Sequence, residues 1–214
     1  MHVFVPAQRD APTNMLNNAI SVNSMHKLRI AQDLALFNLE ASEARSSFDG
    51  RAHLRAWNED PIWQPVRENV EKLTAIRDWC EAVVAANLVF EPLVGELFRA
   101  GLVMTAAAAN GDFITPTVVG VAESDFERDL AYTKDIVSGL THDDRYADEN
   151  REVIGGWLSE PIAMSLRAAR SLEPIWSQAD NAPVSFEESL TRARDRVRET
   201  LKELDIQTPK ELDQ

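Results

Sequence analysis

Cysteine is nearly absent: Cys80 is the only one in 214 residues. No disulfide can form within the chain, and a lone thiol suits a reducing compartment. Inside an apolar helical run it reads as a small core residue rather than a nucleophile. Basic residues are short too, 22 Lys and Arg against 35 Asp and Glu, for a net charge of −13. The one dense basic group, Arg192, Arg194, Arg196 and Arg198, is interleaved with Asp195 and Glu199. A phosphate-binding surface needs clustered cations, so nucleic acid is excluded as a partner. Long apolar runs are missing as well, because Glu81, Asn87, Glu91, Glu96 and Arg99 interrupt the longest candidate. The start, MHVFVPAQRD, lacks the charged-then-apolar pattern of a secretory signal. Together these point to a cytoplasmic chain without a membrane partner. Alternating strand patterns and phosphate-cradling glycine loops are scarce or absent.

What is present is helical periodicity punctuated by 8 Gly and 10 Pro. Thr13 and Asn14 can cap a first helix running to about residue 43, with Ile20, Ile30, Leu34 and Phe37 as its inward stripe. A loop is expected around SSFDG and RAWNEDP. Pro61 suits the first turn of a long second helix carrying Val66, Val70, Leu73 and Ile76 and passing Phe90, with a kink at Pro92. Asn110-Gly111 should break it, and Pro116 either opens another helix or lies within a continuing one. Capping boxes stand at Ser124-x-x-Glu127 and Ser185-x-x-Glu188, the first idle if its helix begins earlier. Helices over 148–158 and 161–176 should be separated near Gly155-Gly156 and Pro161. The expectation is an all-α bundle in a single helical domain over 1–214, with a core at 13–176 and a charged C-terminal helix at 185–205.

Helix bundles hold two irons through Glu-x-x-His pairs, because residues three apart share a face. No Glu here has a His three residues on; the four histidines, at 2, 26, 53 and 142, are dispersed. Yet the segment AAAANGDFITPTVVGVAESDFERDLAY resembles the helix pair that carries an Asp-Glu-x-Arg-His motif in catalytic subunits of soluble di-iron monooxygenases. On that pattern Asp125 and Arg128 match, Phe126 replaces the ligand Glu and Asp129 replaces the ligand His. A second degenerate copy lies in SMHKLRIAQDL: Arg29 matches, Lys27 stands for the Glu and Ile30 for the His. Upstream of the later copy, LVFEPLVGELF offers Glu91 and Glu96 for an isolated glutamate position, and the alignment leaves both open.

The chain resembles the iron-free β, or small, subunit of such hydroxylases, most like the propane monooxygenase branch through RENVEKLTAIRDW, FEPLVGELFRAG and NGDFITPT. The resemblance implies a ferritin-like (ribonucleotide-reductase-like) bundle that binds no iron and turns over nothing alone. It implies a catalytic α subunit holding a di-iron pair, a second αβ protomer, an effector (coupling) protein, and a reductase using NADH with flavin and iron–sulfur groups. The complex would hydroxylate short alkanes with O2. Family small subunits are longer at the N-terminus, so the chain is expected to be the C-terminal part of a longer subunit, missing an N-terminal helix. Three rivals stand beside this: a metalloenzyme with an unusual carboxylate set drawn from Glu91, Glu96 and Asp129, a helical module binding a small apolar ligand in the emptied centre, and a truncated gene remnant.

Each degenerate position has a bland reading. Phe126 fills core space where metal would sit. Lys27 is either a snorkelling surface lysine or a buried cation standing in for iron charge, paired with Asp129, Glu91 or Glu96. Arg29 and Arg128 are remnants pairing with nearby acids or ordinary solvated charges. Trp57, Trp63, Trp79, Trp157 and Trp176 read as core or interface anchors.

Overall fold

A computed structural model describes residues 2–213. Among the described residues the secondary structure is helical throughout, with no strand. A short α1 (Phe4–Asp10) precedes the long α2 (Asn14–Ala44), whose first turn is capped by Thr13 Oγ1 accepting from the Leu16 amide at 3.2 Å. Helix α1 has no counterpart in the periodicity; it exists because Phe4 and Ala7 bury themselves against α2 and α5 (Trp79–Val84). The expected loop after α2 contains α3 (Ala52–Glu59).

The second expected helix is two. Helix α4 (Gln64–Ala75) ends before Ile76, and α5 starts after Asp78, whose carboxylate accepts from the Cys80 and Glu81 amides at 2.8 and 3.0 Å. That cap diverts the backbone where apolar spacing alone suggested continuity. From α5 the chain runs into wide π-helical turns over Ala85–Val103 and returns to α6 (Met104–Ala109). There is no break at Pro92. A proline ring collides with the carbonyl four residues back in an α-helix, and i→i+5 turns are one way to seat it without breaking the helix. Gly111, at φ 81°, then makes the left-handed turn that ends this run.

Helix α7 (Ile114–Thr141) includes Pro116 and the SDFE box, so Ser124 Oγ bonds back to Gly120 O at 3.1 Å instead of capping. The two helices expected over 148–176 are one, α8 (Ala147–Ser171), with Pro161 inside, followed by α9 (Glu173–Gln178). Glycines and one proline do not stop a helix whose Ile154, Leu158, Ile162 and Leu166 are all buried against the core. The box at Ser185 does work: its Oγ accepts from Glu188 N at 3.2 Å and opens α10 (Phe186–Glu203). A 3₁₀ turn at Lys210–Asp213 follows.

The π segment is the axis, packed by α7, α8 and α10. An edge-to-face aromatic chain, Trp63–Phe98–Trp176–Phe186, with centroids 5.6, 6.2 and 5.3 Å apart, ties α4, α9 and α10 to it. Helices α2 and α7 lie antiparallel, with Asn23 level with Asp129 and Arg29 with Asp125. The inward stripe of α2 behaves differently along its length. Ile20 is buried, but Leu34 is 46% and Phe37 40% exposed.

Candidate functional site

The two degenerate motifs face each other where α2, the π segment and α7 meet. Lys27 projects from α2 with only 20% of its side chain exposed, and its Nζ lies 2.8 Å from Glu91 Oε1 and 3.8 Å from Asp129 Oδ2. Glu91 Oε2 accepts from Arg99 Nη2 at 3.0 Å, and Arg99 Nε donates in turn to Glu123. An ammonium and a guanidinium thus bracket one buried carboxylate. Burial opposes the charge on Glu91, but Lys27 and Arg99 outweigh it and hold its carboxyl down at about 2.

Asp129, which the resemblance sets at the position of a ligand histidine, is bound on every side. Its Oδ2 accepts from Asn23 Nδ2 at 2.6 Å, and its Oδ1 lies 2.8 Å from His26 Nδ1. Asn23 Oδ1 accepts from Asn87 Nδ2 and Tyr132 Oη, each at 2.8 Å, and Asn87 also donates to Thr133 Oγ1 at 2.9 Å. Burial pushes the Asp129 carboxyl up, and Lys27 and His26 partly offset it. The two arginines shared by the motif copies converge: Arg29 and Arg128 both donate to Asp125, and His26 Nε2 lies 3.6 Å from the same carboxylate.

Phe126 is fully buried at 0% exposure, its ring under the Arg196 guanidinium at 5.3 Å from the centroid. Ile30, one turn beyond Lys27, is half-buried. Glu96 does not reach Lys27's cluster. It pairs instead with Arg196 of α10, whose Nε lies 3.2 Å away without hydrogen-bond alignment, while Arg196 Nη2 donates to Glu127 at 2.5 Å. Glu91 and Glu96, left open by the alignment, therefore serve different partners.

Sequence reasoning passed over His26, Asn23, Asn87, Arg99 and Tyr132. Their signal was present: Asn23, Asn87 and Arg99 are polar residues in otherwise inward, apolar helical stretches, which buried networks require and solvated faces do not.

A di-iron pair does not fit these residues. Carboxylate and imidazole ligands are needed around a divalent ion, whereas here an ammonium holds Glu91, a phenyl ring occupies one ligand position and an aliphatic side chain another. Among the described residues no three His, Cys, Asp or Glu side chains are disposed to share a metal ion.

Glu96 gives a measurable consequence. Burial pushes its carboxyl up to about 7, Arg196 only partly offsetting this and Glu123 and Glu127 adding to it. Its folded pKa is above the ordinary 4.5, so its contribution favours folding below about 4.5 and is lost as pH rises through 7. Glu96→Gln should therefore flatten the stability curve across that window and raise stability by about 1–3 kcal/mol near pH 8. Urea melts of both forms at a series of pH values would read this; parallel curves would refute it.

Comparison with known proteins agrees with the geometry. The sequence profile of the family described as Methane/Phenol/Alkene Hydroxylase matches residues 3–144. The propane 2-monooxygenase hydroxylase component small subunit of Rhodococcus jostii (strain RHA1) is 52% identical over 100% of this chain, which spans 58% of that relative. The toluene-4-monooxygenase system hydroxylase component subunit beta of Ectopseudomonas mendocina is 28% identical over 87% of this chain and 56% of its own length. A structure of toluene 4-monooxygenase with toluene bound in the resting active site superimposes with a TM-score of 0.76 at 26% identity, over 82% of this chain and 57% of that one. The helical architecture is the ferritin-like fold of these hydroxylase subunits. With the family profile matching residues 3–144 and a 52% identical relative aligned along the whole chain, the chain belongs to the methane/phenol/alkene hydroxylase family.

Proposed function

We propose that the chain serves as a non-catalytic, structural small subunit of a soluble di-iron monooxygenase hydroxylase. The observation that carries this is the Lys27 ammonium seated 2.8 Å from Glu91 and 3.8 Å from Asp129, between two motif-bearing helices. A fixed side-chain cation neutralises the acids that a metal would otherwise need to satisfy. Arg99 adds a second such cation, and Phe126 is a fully buried ring under Arg196. The metalloenzyme reading built on Glu91, Glu96 and Asp129 is disfavoured because Glu96 pairs with Arg196 on a different helix.

In this reading the chain works in the cytoplasm beside a catalytic α subunit that holds the di-iron pair, with a second αβ protomer completing the hydroxylase. An effector protein and an NADH-dependent reductase with flavin and iron–sulfur groups serve the complex. The half-identical propane 2-monooxygenase small subunits support a short alkane, propane-type, as the substrate. Among the described residues no helix is long and apolar enough to cross a membrane, which accords with such a location. The chain's own task is to present a rigid helical surface whose centre is locked by ion pairs instead of by iron.

Metal analysis tests this. The chain purified from iron-supplemented cells should carry only trace iron and manganese and should not oxidise propane with a reductase present. Co-expression with a catalytic subunit that carries intact Glu-x-x-His motifs should give a complex whose iron is retained by that partner. Stoichiometric metal in the isolated chain would sink the reading.

A further inference from the structure

Asn110 is the only asparagine in the chain that is followed by glycine. That dipeptide has a reactivity of its own. The amide nitrogen of the second residue can attack the side-chain carbonyl carbon of the first, and glycine puts no side chain in the way. Gly111 is exposed at φ 81°, and a Cβ placed on it would meet nothing within 4 Å, so the turn is open. The fold nevertheless ties both reacting groups down. Asn110 Nδ2 donates to Ala106 O at 2.8 Å and to Asp180 O at 2.5 Å, and its Oδ1 accepts from Asn181 Nδ2 at 3.3 Å. The Gly111 amide donates to Ala108 O at 3.1 Å. One side chain thus fastens the end of α6 to the loop after α9, 70 residues further on.

We propose that Asn110 is a spontaneous deamidation site held closed by this staple, and that its conversion unfastens the loop between α9 and α10. In the step, the Gly111 nitrogen bonds to Asn110 Cγ and gives up its proton, the Cγ–Nδ2 bond breaks, and Nδ2 leaves as ammonia. Water then opens the cyclic imide to aspartate or isoaspartate. One water is consumed and one ammonia released, with no oxidant. Ring closure needs the side chain turned toward Gly111 and that amide released from Ala108 O, so its rate follows local opening of the turn. The product cannot refasten the staple. A carboxylate has no proton to donate to Ala106 O or Asp180 O, and it sets a negative charge at the C-terminal end of a helix. The inference is independent of the small-subunit reading.

Peptide mapping by mass spectrometry of the purified chain, aged in mildly alkaline buffer, tests the site. The mass change of replacing NH by O at Asn110 should accumulate at least about tenfold more slowly in the folded chain than in the same chain held unfolded in guanidinium. Asn181→Gly removes one bond of the staple and tolerates the left-handed φ of 51° there, and should speed conversion by about two- to fivefold. Asp49-Gly50 can isomerise as well, but without a change of mass, so the two sites are not confused. Asn110→Asp tests the release. Hydrogen exchange at the amides of Gly111, Asp112 and Ala179 should quicken by about tenfold while α8 keeps its protection, with thermal melts showing that the fold is kept. Asn110→Ala, which removes the donors without adding charge, gives the same reading if the aspartate form does not fold. Equal rates folded and unfolded, an unchanged rate in Asn181→Gly, or no conversion in the unfolded chain would overturn the stapled site. Unchanged exchange in the Asn110 variants would overturn the release.

Discussion

Lys27→Met should destabilise the protein by about 3–5 kcal/mol, the loss expected when one partner of a buried ion pair is removed and the other stays. Methionine preserves the length of the side chain and its packing, so the loss reports the charge. Glu91 would keep Arg99 but lose the nearer ammonium, and Asp129, already pushed up by burial, would lose Lys27, the largest of the influences that offset it. Adding Glu91→Gln to Lys27→Met should recover part of the loss, because a neutral amide no longer demands a cation there. A double-mutant cycle from chemical denaturation measures this coupling, and simple additivity of the two substitutions would show that the pair is not a unit.

The acid limb of the stability curve gives an independent reading. Glu91 is held at about 2 when folded, below its ordinary 4.5, so its contribution is present above about 4.5 and lost as pH falls toward 2. Lys27→Met should shrink that acid-dependent loss. The Glu96 contribution runs the other way and in a higher window, so the two are separable in one pH series.

Phe126→Ala should cost a comparable amount, about 3–5 kcal/mol, through the cavity left by a fully buried ring. The ring is also the surface on which Arg196 of α10 rests, at 5.3 Å. Removing it takes away one of the contacts through which Arg196 fastens the C-terminal helix to the centre, Glu96 and Glu127 being its other partners. Phe126→Leu should lose much less, since it keeps most of the apolar volume. Hydrogen exchange of α10 amides would show whether the loss is local: protection in α10 should fall further than in α8, and equal falls would mean that Arg196 contributes nothing specific through the ring.

Local chemistry announced much of this fold. The Thr13 and Ser185 caps start helices where the sequence places them, and the Asn110-Gly111 break falls where a left-handed residue is needed. Periodicity was misleading where packing overrode it. Pro161 and the Gly155-Gly156 pair lie within α8 because burial of its apolar face outweighs their helix penalties. The Asp78 cap, conversely, divides a run that looked continuous. Leu34 and Phe37 were read as inward from spacing, which identifies an apolar face but not whether anything in the same chain covers it.

At the centre, the residue types were legible and their pairing was not. By itself the sequence determined that Lys27 and Ile30, and likewise Phe126 and Asp129, stand three apart on one helix face, because such spacing is a local property; that a di-iron relative has Glu or His there is what the resemblance implies. Only the tertiary structure decided that Lys27 takes Glu91 while Glu96 goes to Arg196, that Arg29 and Arg128 share Asp125, and that His26 joins Asp129. Those choices depend on the wide turns of the π segment, which change the angular offset between residues 91 and 96, and on how three distant helices cross. An ion pair is fixed by distance in space, and no spacing along the chain encodes it.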